Sequence, residues 1–176
     1  MRTIVITPPA PALTWEEVAT HLELAADDYR QNLVMGFVTG TISKLGPPNG
    51  WLGFAIGLQT LETRLDNWDC GSIRLPWGPV VSVESVKYID ANGIEQTIDE
   101  DQYDLIDTSV SPAYNRSWPS HRWQREAVRI QYKAGEAVIS PALKLGINLM
   151  VQGQFEGTDA YERAAMSYID PFRVYA

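Results

Sequence analysis

Few side chains in this 176-residue sequence combine the types and spacing that metal or nucleophilic chemistry needs. Its two histidines are His21 and His121, and its single cysteine is Cys70. No H-x-x-x-H or C-x-x-C spacing is present, so neither histidine belongs to a zinc motif. Cys70 follows Asp69, whose negative charge disfavours a reactive thiolate, and no G-x-S-x-G turn frames a serine. The sequence therefore predicts no catalytic residue, no metal site and no bound cofactor.

Carboxylates are abundant, with 22 acidic against 14 basic residues and a formal charge of −8. The densest run is Asp99-Glu100-Asp101, which Asp104 and Asp107 follow. A calcium loop needs a D-x-[DN]-x-[DN]-G ladder, and the nearby Asp90-Ala91-Asn92-Gly93 reaches its glycine too early. We therefore predict a solvated turn between two strands at this run. A carboxylate-based hydrolase stays an alternative.

The negative charge argues against a free-standing nucleic-acid binder, because such proteins normally carry a basic surface that neutralises phosphates. A hydrophobic share of 45% is enough for a folded core. The single cysteine excludes an internal disulfide framework. No window offers the roughly 20 uninterrupted apolar residues that a membrane-spanning helix requires, so we expect no membrane partner.

One stretch, from Tyr114 to Lys133, is basic and aromatic where its surroundings are acidic. Arginine and tryptophan are enriched at the hot spots of protein interfaces, and the same pair can stack on single-stranded bases. We favour a protein interface, and a purely structural loop or nucleic-acid binding stays open. The candidate interface residues of this stretch are Arg116, Trp118, Arg122, Trp123 and Arg125, and its other basic and aromatic members are Tyr114, Arg129, Tyr132 and Lys133.

Helix signals lie at both ends of the chain. Thr14-Trp15-Glu16-Glu17 matches the capping box, in which the first and last residues bond each other's amides. Asp27 and Asp28 offer an N-cap for a second helix, and Ser140-Pro141 has the cap and first-turn proline of a third. The predicted helices cover about 14–24, 27–45, 140–155 and 160–169.

Between the helices, β-branched and aromatic runs alternate with turn residues and predict strands. Asn92-Gly93 predicts a tight hairpin, because both residues tolerate a positive φ. Residues 109–124 lack a period and predict one long connection. The predicted strands are 59–65, 72–75, 81–90, 95–98, 103–106 and 127–134.

This order of elements predicts an α+β fold in a single domain over residues 1–176. A small α-helical bundle is formed by the N- and C-terminal helices, at about 14–45 and 141–169. An antiparallel β-module, at about 59–134, is inserted between them.

Several segments share packing and turn patterns with one known family. They are Gln59–Asp66, Ile73–Val80, Val83–Asp90, Asn92-Gly93 with Tyr103, Val128–Gly135, the helix from Pro141, and Pro171-Phe172-Arg173. Together they resemble the head–tail connector family, also called adaptor or neck proteins, of long-tailed bacteriophages and gene transfer agents. The resemblance covers roughly residues 14–174. It consists of packing and turn patterns and includes no set of catalytic or ligand-binding residues.

The resemblance implies a structural virion protein, not an enzyme, that assembles as a homo-oligomeric ring of usually twelve subunits beneath the portal protein. Such a ring extends the DNA channel, and genomic DNA passes through its lumen without specific binding. It also offers a docking surface to the downstream neck or tail protein, a stopper or tail terminator. The implied location is the head–tail junction of the virion, and the host cytoplasm during assembly.

Two further sets of residues fit these expectations. A DNA channel benefits from negative walls, so we expect some of the acidic residues to face the lumen or its rim. The C-terminal segment follows a helix-stopping proline, and we expect it to dock on the portal, because chain ends order only when tied down. The candidate channel residues are Asp99, Glu100, Asp101, Asp104 and Asp107, and the candidate docking residues are Phe172, Arg173, Val174 and Tyr175.

The leading alternative is a monomeric carbohydrate- or ligand-binding module. It would stack sugars on exposed tryptophans, namely Trp68, Trp77, Trp118 and Trp123.

Overall fold

A computed structural model describes residues 1–68 and 71–174, so Cys70 and Tyr175 lie outside the described residues. The described chain is a mixed α and β protein with antiparallel sheets. It divides into two compact units. The β unit contains residues 1–8 and 58–135, and the helical unit contains residues 9–57 and 136–176.

The β unit holds two antiparallel sheets. Its strands are β1 (Arg2–Thr7), β2 (Gln59–Leu65), β3 (Ile73–Arg74), β4 (Val80–Ile89), β5 (Glu95–Ile98), β6 (Tyr103–Ile106), β7 (Ser109–Pro112) and β8 (Val128–Ala134). One sheet has the order β1-β2-β8-β4-β5, and the other has the order β3-β7-β6. In β2 and β8, buried residues alternate with half-buried ones over all seven positions, as expected when one face of a strand packs on a core.

The predicted hairpin at Asn92-Gly93 is confirmed. It joins β4 to β5, with Val86 opposite Ile98 and Ile89 opposite Glu95. Asp90 Oδ1 accepts hydrogen bonds from the backbone amides of Asn92 and Ile94, at 2.9 and 3.0 Å. The hydrogen bond from the Ile94 amide is the main cause of the lowered pKa of the Asp90 carboxyl. The glycine lies at φ 84°, where a side chain is strained.

The described residues of the helical unit form four α-helices: α1 (Trp15–His21), α2 (Gln31–Leu45), α3 (Pro141–Glu156) and α4 (Glu162–Ile169). The predicted capping box is confirmed, since Thr14 Oγ1 accepts the Glu17 amide and Glu17 Oε2 accepts the Thr14 amide. The buried face of α2 carries Val34, Val38 and Leu45, which join the core of this unit. From α3, the core receives Leu143, Ile147 and Val151.

The start of α2 corrects the predicted N-cap. The helix begins at Gln31, and its N-cap residue, Arg30, makes no side-chain capping bond. Asp28 instead accepts the Arg30 amide at 2.8 Å and binds its guanidinium at 2.7 Å, so the carboxylate closes a turn before the helix. These bonds to Arg30 lower the pKa of Asp28 to about 2.

Two strands of the structure, β1 and β7, were not predicted. Strand β1 pairs with β2, and β7 lies within the stretch expected to be one long connection. Strand β7 is short and ends in a proline, so its local strand signal is weak, whereas β1 contains the β-branched run Thr3–Thr7, which favours a strand. Both are stabilised by pairing with partner strands, and for β1 that partner lies far away in sequence.

Candidate protein-interaction surface

The connection between β7 and β8, residues 113–127, is held in place by two tryptophans. The rings of Trp68 and Trp118 stack with centroids 4.6 Å apart and planes 7° from parallel. Trp118 Nε1 donates a hydrogen bond to the Gly71 carbonyl at 3.0 Å, and Trp68 Nε1 donates one to the Pro119 carbonyl at 2.8 Å. Each indole therefore has both an aromatic and a polar partner.

Further aromatic contacts continue this cluster toward the surface. The ring of His121 lies 6.2 Å from that of Trp68, edge-on, and 6.2 Å from that of Trp123. The Arg122 amide donates to the Ile89 carbonyl at 2.9 Å, which ties the connection to the end of β4. His121 Nε2 is buried and has no hydrogen-bond partner in the described part of the chain.

The outer side of the connection is exposed and cationic. Trp123 is 85% exposed and Tyr114 is 90% exposed. Arg116, Arg122 and Arg125 are exposed, and within the described residues none of them forms a salt bridge. We call Arg116, Arg122, Trp123 and Arg125 the arginine surface. Trp118 lies beneath it as a support.

The structure separates the other members of the basic and aromatic stretch from this surface. Arg129 is bonded to Glu95 at 3.1 Å and Lys133 to Glu84 at 3.0 Å, so both cations are paired on the sheet. Tyr132 is fully buried, and its hydroxyl donates to the Pro76 carbonyl at 2.7 Å. Each of these three residues of β8 is therefore either buried or paired with a carboxylate, and none of them extends the arginine surface.

A cation-rich cavity of about 290 Å³ adjoins Arg125. Arg64 Nη1 lies 2.8 Å from Glu126 Oε2, and Arg2 Nη1 lies 3.3 Å from Glu126 Oε1. The bond from Arg64 is the main cause that lowers the pKa of Glu126. The cavity is lined by Met1, Arg2, Arg64, Asp66, Arg125 and Glu126, so its guanidinium groups outnumber its carboxylates.

The predicted acidic turn is confirmed as a solvated connection. Glu100–Gln102 form a short 3₁₀ helix between β5 and β6, Asp104 lies on β6, and Asp107 lies after β6 at φ 55°. We call the five carboxylates of this region the acidic segment: Asp99, Glu100, Asp101, Asp104 and Asp107. All five are exposed, and among the described residues none forms a salt bridge.

The C-terminal residues rest on their own helical unit. The Arg173 guanidinium lies 4.3 Å from the centroid of the Trp51 ring, and the Val174 amide donates to the Leu52 carbonyl at 2.8 Å. A Cβ at Gly53 would lie 2.4 Å from the Val174 carbonyl oxygen, so only glycine lets the two backbones approach so closely. Phe172 packs at the edge of the core, while Val174 is 48% exposed. Tyr175 lies outside the described residues.

The carboxyl groups with displaced pKa values have structural partners. In Glu16, Glu17, Asp28, Asp90 and Glu126 the pKa is lowered, by bonds to amides, to a hydroxyl, to lysine or to arginine. A general acid at neutral pH needs the opposite shift. Within residues 1–68 and 71–174, no group of three or more His, Cys, Asp and Glu side chains is placed to hold a metal ion. No helix of the described chain has the length and apolar character to cross a membrane.

The mutual stacking of Trp68 and Trp118 also bears on sugar binding. Each ring covers one face of the other, and Trp123 is the exposed indole of this cluster. A sugar platform normally presents a free aromatic face, so the mutual stacking of Trp68 and Trp118 favours a support for the arginine surface, whereas Trp123 presents an exposed ring.

No described protein family matches the sequence, and no curated protein matches it. Solved structures do match, over the whole chain. A chain in the neck of an empty gene transfer agent particle, computed with C6 symmetry, has a TM-score of 0.80 at 20% identity, covering 100% of this chain and 97% of that chain.

Two further structures agree. A chain of the virion of a native gene transfer agent particle has a TM-score of 0.80 at 19% identity, and one in the neck of a native particle, computed with C12 symmetry, has a TM-score of 0.74 at 19% identity. Both cover 100% of this chain and 97% of the other. The protein therefore has the fold of chains in these neck and virion structures, which supports the sequence resemblance at the level of the fold.

Proposed function

We propose that this protein is a structural component of a virion neck, a head–tail adaptor that forms a ring beneath the portal. The single observation that carries the proposal is the fold match over 100% of this chain and 97% of a gene transfer agent neck chain. Because almost nothing of either chain is left over, the match includes both compact units. The role is mechanical, and we infer that the protein is not an enzyme.

Twelve copies form the ring in this proposal. The neck structures with this fold were computed with C6 and C12 symmetry, which is consistent with that number. One side of the ring binds the portal, and the other binds the downstream stopper or tail terminator. In each subunit the helices act as one bundle, and the chain works as a single domain. The protein assembles in the host cytoplasm and ends at the head–tail junction of the virion.

The acidic segment supplies the channel property in this proposal. Its carboxylates are exposed and lack cationic partners among the described residues, so their charge is not neutralised locally. Closed symmetry repeats each carboxylate around the ring axis, and a repeated negative charge repels DNA phosphates. Some of these carboxylates face the lumen or its rim, so genomic DNA passes without specific binding.

The C-terminal residues dock on the portal in this proposal. Val174 is half-exposed beyond a backbone anchored at Leu52, so its side chain is placed to reach a partner. Arg173 and Tyr175 contribute with it.

The test is electron microscopy of purified portal mixed with this protein. A collar of added density below the portal, with the rotational symmetry of the portal ring, is the expected result. Removing residues 174–176 spares Phe172 and the helical core, and should weaken the collar at least several-fold. V81D, at a 57% exposed side chain of the β unit, is the matched control. If the portal shows no added density in the presence of the intact protein, the adaptor role is contradicted. If the truncated chain gives an undiminished collar, only the docking of the C-terminal residues is contradicted.

A further inference from the structure

We infer that the arginine surface of one subunit binds the acidic segment of the next copy of this chain, making a head-to-tail contact. The inference rests on the proposed ring and names the binding partner of the exposed connection between β7 and β8. The relevant observation is charge complementarity within one molecule: a cationic patch on a chain of net charge −8, and a carboxylate segment without cationic partners among the described residues.

Arg122 and Arg125 lie toward one end of the five-stranded sheet, and Asp107 lies toward the other. Asp99, Glu100 and Asp101 lie between these ends, because they follow Ile98, which is opposite Val86 in β4. Arg122 is bonded to Ile89 at the end of β4, and Arg125 borders the cavity lined by Arg2 and Arg64, at the same end. The turn that carries Asp107 reaches the other end, because a Cβ at Gly78 would lie 3.0 Å from the methyl carbon of Thr108, and Gly78 nearly adjoins the first residue of β4.

The distance between these ends excludes a salt bridge between Arg122 and Asp107 inside one chain. Strand β4 has ten residues, and at about 3.3 Å per residue it spans about 30 Å. A salt bridge needs the charged atoms within about 4 Å. Arg122 and Asp107 can therefore meet only when they belong to different molecules.

The arginine surface is also held rigidly enough to bind. The stacked Trp68 and Trp118 rings and their two hydrogen bonds hold the connection, so little backbone entropy is lost on contact. Trp123, at 85% exposure, supplies an apolar centre between the cations. Arg2 and Arg64 of the cation-rich cavity are paired with Glu126, whereas Arg125 has no salt bridge among the described residues, so its guanidinium can bind an incoming carboxylate in a bidentate geometry.

A contact between two different surfaces of the same chain is heterologous. Repetition of such a contact generates a closed ring when the rotation per subunit closes, and a filament when it does not. An isologous dimer cannot result from it. The carboxylates that the neighbouring arginine surface leaves uncovered stay free to face the channel.

The test uses two charge-reversed variants of the full chain. R122E/R125E makes the arginine surface negative, and E100K/D104K makes part of the acidic segment positive; Asp107 is kept because its φ of 55° suits few side chains. K44E/R163E changes the net charge as much as R122E/R125E does, at two exposed cations of the helical unit that have no salt bridge among the described residues. Circular dichroism and thermal unfolding verify that each variant folds.

Self-association is measured by sedimentation velocity at rising concentration in low salt. We expect the wild type and K44E/R163E to associate, and each reversed variant alone to associate at least tenfold more weakly. Mixing the two reversed variants should restore assembly, because each alternating interface then pairs opposite charges. The chain carrying all four reversals should also assemble.

Four outcomes would overturn the inference. If the wild type forms rings and both reversed variants do so equally, the rings use another surface, and the proposed function survives without this contact. If the mixture fails while folded variants stay monomeric, the two surfaces do not meet. If the wild type remains monomeric at every concentration, or if R122E/R125E loses binding to single-stranded DNA rather than self-association, the partner is not a second copy.

Discussion

Tyr132 illustrates why a residue type does not disclose its role. The Pro76 carbonyl can only accept, so the Tyr132 hydroxyl donates to it, and Thr63 Oγ1, at 3.2 Å, must donate to Tyr132. Thr63 is then left to accept from Thr3 Oγ1, at 2.9 Å. This chain of hydrogen bonds joins β1, β2 and β8 to the segment before β4. Burial is the main cause that raises the pKa of Tyr132 to about 12.

Replacing this tyrosine should therefore destabilise the fold. Y132F leaves the Pro76 carbonyl and the Thr63 hydroxyl without their partner, and we expect a loss of about 1–3 kcal/mol in the free energy of unfolding. Urea unfolding followed by tryptophan fluorescence measures it. Y114F, at a 90% exposed ring, is the control and should change stability by less than about 0.5 kcal/mol.

The same residue predicts an alkaline effect. An ordinary tyrosine has a pKa of 10.0, and in the folded protein it is about 12, so the folded state keeps its proton longer. The stabilisation by neutral Tyr132 is complete below about pH 10 and falls between about pH 10 and 12, with a slope of at most about 1.4 kcal/mol per unit. The difference between wild type and Y132F should shrink over this range. A constant difference up to pH 11.5 would contradict the assignment.

At the scale of elements, the connection after β7 depends on Trp118. W118A removes the stack on Trp68 and the bond to the Gly71 carbonyl, which together contribute about 2 kcal/mol. Limited trypsin digestion should then cleave faster after Arg122 and Arg125. W123A is the matched control, because its ring is largely exposed. Equal cleavage of the two variants would show that the stack does not order the connection.

Two helical glycines should respond oppositely to alanine. A Cβ at Gly146 of α3 would lie 2.5 Å from Ile169 Cγ1 of α4, whereas a Cβ at Gly40 of α2 meets nothing within 4 Å. Alanine favours a helix by about 1 kcal/mol over glycine. G40A should therefore stabilise the isolated chain by up to about 1 kcal/mol, and G146A should destabilise it by at least as much. Thermal unfolding distinguishes them, and I169A should partly relieve G146A. A stabilising G146A would contradict the close packing of α3 on α4.

Elements with a local signal were predicted well, and those without one were not. The boundaries of β2, β5 and β6 match the prediction, because alternation and turn residues within each segment specify them. The N-cap of α2 was wrong, since Asp28 has a competing partner in Arg30. Strand β1 is an exception, because its run of β-branched residues, Thr3–Thr7, is a local strand signal and the strand was nevertheless missed; only its partner, residues 60–64, lies beyond a local window.

For the whole molecule, composition located the exposed arginine surface but not its internal arrangement. The exposure of Arg116, Arg122 and Trp123 could be predicted, because they lie in a basic and aromatic stretch whose apolar residues have no helix or strand periodicity. The inward direction of Tyr132 and the stacking of Trp68 on Trp118 depend on strand register and on contacts across some fifty residues, which the pattern alone does not contain. The placement of Asp107 and Arg122 toward opposite ends of β4 likewise arises only when the sheet forms.

The acidic segment makes a last prediction, about DNA passage. D99N/D101N removes two exposed carboxylates and keeps Glu100, Asp104 and Asp107, whose charges the contact between copies uses. Weaker repulsion of phosphates should let portal-bound rings retain duplex DNA several-fold more at low salt, where charges are poorly screened. The control D27N/E162Q makes the same charge change in the helical unit, and it should behave as the wild type. Co-sedimentation of DNA with the assembled complexes measures retention; equal retention by both double variants would mean that net charge, and not its position in the acidic segment, governs passage.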